Sequence, residues 1–194
     1  MWLPSILTLI ASVIPTEAFA HSPIEGVGYF YGGLLHPLMV LPHALLLLML
    51  SLLVGQRGIQ AMRYAYPAFL LSLLSGLLAT AFKLTIIPAQ SLLLILAACF
   101  GLLVALKVTL AVHLTGLLAA LAGLLIGMDS SVGELGRQQT FAAILGCWVG
   151  AAVILIIISG LVEIARQPWL SVGIRILGSW GLAMTMLVLA LSFR

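Results

Sequence analysis

The chain has 194 residues, of which 63% are hydrophobic and 7% charged, with eight Lys or Arg against five Asp or Glu and a net charge of +3. An ordinary soluble domain is about 45–50% apolar and 25% charged. So few charges cannot cover a water-facing surface. That excludes a soluble enzyme, a nucleic-acid module and a disordered chain, and makes the lipid bilayer the solvent for most of the protein. In such a chain the basic excess reports loop charges that set orientation, not an acidic partner.

Residues 1–20 have an apolar stretch from Ile6 to Ile14, then Pro15, then Ala18-Phe19-Ala20. This is an A-x-A cleavage pattern of the signal-peptide kind, although no Lys or Arg precedes the apolar stretch. The expectation is a leader over 1–20 and a membrane domain over 21–194. Cleavage after Ala20 would make His21 the first residue, and its free amine and imidazole together can chelate a divalent transition metal. A loop histidine without a role is the other reading of His21.

A spanning helix needs about 20 mostly apolar residues. Six runs qualify: Tyr29–Gly55, Tyr64–Phe82, Ile86–Leu106, Val108–Met128, Thr140–Val162 and Ser171–Phe193. They are continuous apolar blocks without the alternation of a transmembrane barrel. The predicted fold is all-α, a polytopic bundle of six transmembrane helices after a signal-peptide-like segment. Between Ile86 and Met128 the only charge is Lys107. A single helix there would be about 64 Å long, twice the hydrocarbon thickness. A tight hairpin near Lys107 is therefore expected.

With residue 21 outside, the inner ends carry Arg57, Arg63, Lys107, Arg166 and Arg175, and the outer ends carry Lys83, Arg137 and Arg194. That bias has the positive-inside sign and predicts both termini on the periplasmic or exterior side. Gly28/Gly32, Gly123/Gly127 and Gly146/Gly150 form G-x-x-x-G pairs that let helices approach closely, within one subunit or at a seam between copies. Cys99 and Cys147 lie inside apolar runs and read as small hydrophobes, not as a disulfide or metal ligands.

Ionisable residues inside spans are costly and mark function. His36 and His43 lie in the first run, His113 lies early in the fourth, and Glu163 sits at the inner end of the fifth, within reach of Arg166 or Arg175. His36 and His43 are seven apart and share a helical face. On a straight helix they would stand about 10.5 Å apart, too far for one ion held at about 2.1 Å by each ring. Pro37 and Pro42 bend the axis and shorten that distance, or else the two rings are successive stations along a path. Imidazole suits nickel, copper, zinc and cobalt. Two neutral histidines bonded to carbonyls freed by the prolines is the other reading.

A signal-like leader, His21, a Gly-rich lead-in to His36-Pro37, and His43 followed by Ala-Leu-Leu together resemble the HupE/UreJ family of small bacterial membrane proteins. The resemblance implies about six spans and a link to nickel or cobalt uptake for hydrogenase and urease. The family's first-span motif runs His-Pro, two residues, Gly, one residue, Asp-His. His36, Pro37 and His43 match it, while Val40 stands at the Gly position and Pro42 at the Asp position. The family's second, His-rich stretch falls at Ile126-Gly127-Met128-Asp129-Ser130-Ser131, where no histidine stands, leaving Asp129 or Glu134 as candidate oxygen ligands.

The expected function is a divalent-metal permease whose path runs from His21 past His36 and His43, with His113 as a cross-helix partner and a transient nickel or cobalt ion as cargo. The alternative is an accessory transmembrane subunit, partnered by other membrane proteins or by a second copy, that has lost transport. Enzymatic activity is not expected. No span carries a Ser–His–Asp, HExxH or paired-carboxylate constellation.

Overall fold

A computed structural model describes residues 28–82, 89–130, 135–165 and 167–192. Seven helices run through these residues: α1 (Tyr29–Met39), α2 (Leu41–Arg57), α3 (Ile59–Ala81), α4 (Gln90–Leu106), α5 (Val112–Asp129), α6 (Arg137–Ile164) and α7 (Pro168–Leu191). No strand occurs among the described residues.

Four of these helices, α3, α5, α6 and α7, are long and apolar enough to cross a membrane. The first expected span is broken. Val40 adopts an extended conformation between α1 and α2, and the two helix axes differ by 72°. Pro42 has no N–H to return to the preceding turn, and it falls in the first turn of α2, where none is needed. Counted as one bent span, the pair makes five. The described part of the third expected span, α4, has 17 residues and falls just short. Its expected start at Ile86 lies outside the described residues, as do the expected leader over 1–20 and Glu134.

The expected hairpin at Lys107 is present. Lys107 takes the left-handed conformation at φ 54°, and its N–H returns to the carbonyl of Val104 at 3.1 Å, ending α4.

The core is built around α2, which packs against all six other helices. From Leu45 to Val54 every residue but Leu48 is buried. A helix apolar on all faces has no amphipathic side to turn outward, so it becomes the centre of the bundle. Lipid supplies no hydrophobic force between helices, so close backbone approach and scattered polar bonds hold the rest. A Cβ on Gly123 or Gly127 of α5 would run into the backbone of α3 between Phe69 and Leu77. One on Gly146 or Gly150 of α6 would run into the backbone of α1 at Phe30 and Leu34. Both expected pairs therefore pack within one subunit. Around the third pair, Gly28 and Gly32, a Cβ meets nothing within 4 Å among the described residues. Two side-chain bonds tie α3 to α6. Trp148 Nε1 donates to the Leu70 carbonyl at 2.9 Å, and the Tyr66 and Ser159 hydroxyls meet at 2.8 Å.

These contacts give the helix directions. The α1–α2 pair runs parallel to α6, with Gly33 against Ala143 and Gly55 against Ser159 and Val162. Helices α3 and α5 also run parallel. Helices α4 and α7 are antiparallel and are joined at one end, where Lys107 Nζ donates to Ser171 Oγ at 3.1 Å and Arg175 Nε to the Ala105 carbonyl at 2.8 Å.

Candidate metal-binding site

The break at Val40 builds the site. His36 lies in the last turn of α1, and its carbonyl accepts from the Val40 N–H at 3.1 Å. His43 is the third residue of α2 and is completely buried. The bend brings the two rings to a centroid separation of 5.4 Å, edge to face. With each ring nitrogen about 2.1 Å from a shared ion, tetrahedral geometry needs ring centres about 5.3 Å apart. Straight-helix spacing does not apply here, because the prolines have folded the face on which both histidines sit.

On its other side the His43 ring meets α5. Nε2 lies 2.9 Å from Oδ2 of Asp129, the last residue of that helix. Asp129 is placed by the tight α3–α5 crossing at Gly123 and Gly127 and by the next residue. Ser130 is buried, and both its N–H (3.0 Å) and its hydroxyl (2.7 Å) donate to the Ile126 carbonyl. The Cys147 thiol of α6 approaches the same hydroxyl at 3.9 Å. A carboxylate on His43 also lies near the positive N-terminal pole of α2, while His36 lies near the negative C-terminal pole of α1. The first pole favours an anion and the second a cation, by about 0.3–1 kcal/mol each.

In a neutral ring, Nε2 donating to the carboxylate makes Nδ1 the nitrogen that bears the lone pair. This Nδ1 is buried and has no hydrogen-bond partner. An unsatisfied buried polar group costs about 1–3 kcal/mol, and a cation would relieve it. Among the described residues no group of three or more His, Cys, Asp or Glu converges as a metal-holding cluster. The arrangement is two neighbouring imidazoles with a carboxylate on one of them.

The remaining sequence candidates lie elsewhere. His113 begins α5 at the end opposite Asp129, about 24 Å away at 1.5 Å per residue. It is exposed and stacks edge-on against Tyr64 at 4.7 Å. The structure therefore does not join it to His36 and His43. His21 and Glu134 lie outside the described residues. The Asp129–His43 pair went unread because its partners are 86 positions apart. The sequence offered Asp129 as a candidate oxygen ligand and Pro42 where the motif has a carboxylate, but nothing that joined Asp129 to His43.

The apolar helices, the broken span and the buried imidazole of His43 define a class: an all-helical, multi-pass membrane protein. Within it the chain belongs to the HupE / UreJ protein family, whose model matches residues 9–191. No curated protein and no solved structure matches the chain.

Proposed function

We propose that this protein carries a divalent transition-metal ion of the nickel and cobalt kind across a bacterial inner membrane, with His36 and His43 as its binding station. The observation that carries this reading is His43 Nδ1, buried without a hydrogen-bond partner beside a second imidazole in a broken span. Broken helices at membrane depth are tolerated where they line a cavity, and in transporters they form substrate sites. Two imidazoles select borderline metals over calcium and magnesium. Two ligands plus water hold an ion loosely enough to release it, as a permeation path requires.

Six crossings fit this reading: α1 with α2, then α3, α4, α5, α6 and α7. Arg57, Arg63, Lys107 and Arg175 then lie at one end, which faces the cytoplasm. The station lies toward the other end, since His43 is about 21 Å along α2 from Arg57. The ion enters from the periplasm, where both termini and His21 also lie.

The test is uptake of radioactive nickel and cobalt in cells lacking their own transporters. Uptake above an empty vector, falling at least tenfold in His36→Ala or His43→Ala with the protein still in the membrane, is the expected result. The lack of a third clustered ligand among the described residues favours a second reading, an accessory subunit of a larger membrane complex. Uptake equal to the vector, together with co-purification of a stoichiometric membrane partner, would support it.

A further inference from the structure

We infer that Asp129 is the positioning residue of the station: by accepting the Nε2–H of His43 it selects the tautomer and ring orientation that present Nδ1 to the cargo ion, without itself ligating the ion. This rests on the metal reading of His36 and His43 and adds the role of a residue on a different helix.

The geometry separates the two roles a carboxylate can play here. Asp129 contacts His43 at the ring nitrogen away from the orphaned one, with Nε2 and Oδ2 2.9 Å apart. His43 is completely buried, and Nδ1 has no partner. In a neutral imidazole one nitrogen carries the proton and the other the lone pair, so the acceptor at Nε2 decides that Nδ1 is the ligand atom. A carboxylate behind a metal-binding histidine commonly fixes tautomer and orientation, and its loss costs about 10–100-fold in metal affinity. Pro42, next to His43 in sequence, has a side chain that can accept nothing. The acceptor therefore comes from the end of α5, where Ser130 and the Gly123/Gly127 crossing hold it in place.

The test uses the full chain in detergent with 15N-labelled histidine, as wild type, Asp129→Asn and Asp129→Ala. His43→Gln identifies the His43 signals. Nitrogen shifts of the metal-free protein report the tautomer, and Co²⁺ titration followed by visible absorption reports affinity. Asn keeps an acceptor and loses the charge, whereas Ala keeps neither. The expected result is an Nε2-protonated His43 in wild type and Asp129→Asn, with Co²⁺ affinities within about threefold of each other. Asp129→Ala then shows mixed tautomers and binds Co²⁺ 10–100-fold more weakly.

An Nδ1-protonated His43 in the wild type would overturn the inference. So would equal affinity in wild type and Asp129→Ala, the mark of a merely structural residue. A loss in Asp129→Asn as large as in Asp129→Ala would make Asp129 a ligand instead. If the wild type binds no Co²⁺, the metal reading fails, and the tautomer signals of the metal-free protein still decide what Asp129 does.

Discussion

Gly146 on α6 lies against Phe30 on α1 so closely that a methyl group on Gly146 would occupy the space of the Phe30 carbonyl. This contact seats the half-helix that carries His36. The α1 helix has 11 residues, about 16 Å, and cannot cross the membrane alone. Its position depends on Gly146, Gly150 and Gly33 being bare.

Gly146→Ala is accordingly expected to push α1 off α6. The cost is about 1–3 kcal/mol, typical of overpacking against backbone that cannot yield. It should appear as a lower melting temperature in detergent and, on the permease reading, as weaker metal uptake. Gly32→Ala is the control. Its methyl group meets nothing among the described residues, so it should change stability by less than about 0.5 kcal/mol.

His113→Ala should leave uptake unchanged. The ring stacks on Tyr64 at the far end of α5 from Asp129 and is exposed. A loss of uptake comparable with that of His43→Ala would mean the path runs the length of α5, contrary to this placement.

The two cysteines should differ in labelling. Cys99 is exposed on the apolar surface of α4, and Cys147 is 3% exposed beside Ser130. With the protein in mild detergent, small and bulky maleimides should both label Cys99, whose place on the outer surface of α4 is then no longer sealed by the bilayer. Cys147 should stay unlabelled by either until the protein is denatured. Rapid labelling of native Cys147 would contradict its burial beside Ser130.

Trp148→Phe removes the Nε1 bond to the Leu70 carbonyl and keeps most of the ring. Hydrogen bonds between membrane helices average about 0.6 kcal/mol in double-mutant cycles and reach about 1.7. A loss in that range is expected, read as a lower midpoint of unfolding in denaturant. A double mutant with Tyr66→Phe should lose close to the sum, since the two bonds tie the same helices but share no atoms.

Much of this architecture is legible along the chain. The turn at Lys107 follows from length alone, because 43 apolar residues in one helix would overshoot the bilayer. The long apolar helices follow from the runs themselves. The break in the first run was legible in part: Pro37 and Pro42 announce a bend, but its 72° angle and its place at Val40 depend on how α1 lies against α6. The packing glycines were legible as spacing and not as partners. Gly28/Gly32 carries the same pattern as Gly146/Gly150, and among the described residues only the second of these two pairs faces a neighbouring backbone.

By itself the sequence determined the solvent, the helical class and the family signature, because these depend on composition and on contacts a few residues apart. It also placed two histidines on one face. The tertiary structure alone decided that their rings stand 5.4 Å apart, that His113 is remote, and that a carboxylate at the end of α5 holds His43 by its outer nitrogen. These relationships join distant segments and have no periodic trace in the chain. They arise from which helix faces pack together, and in a bilayer that is set by close backbone approach at small residues and by buried polar bonds, not by the hydrophobic pattern that makes the helices.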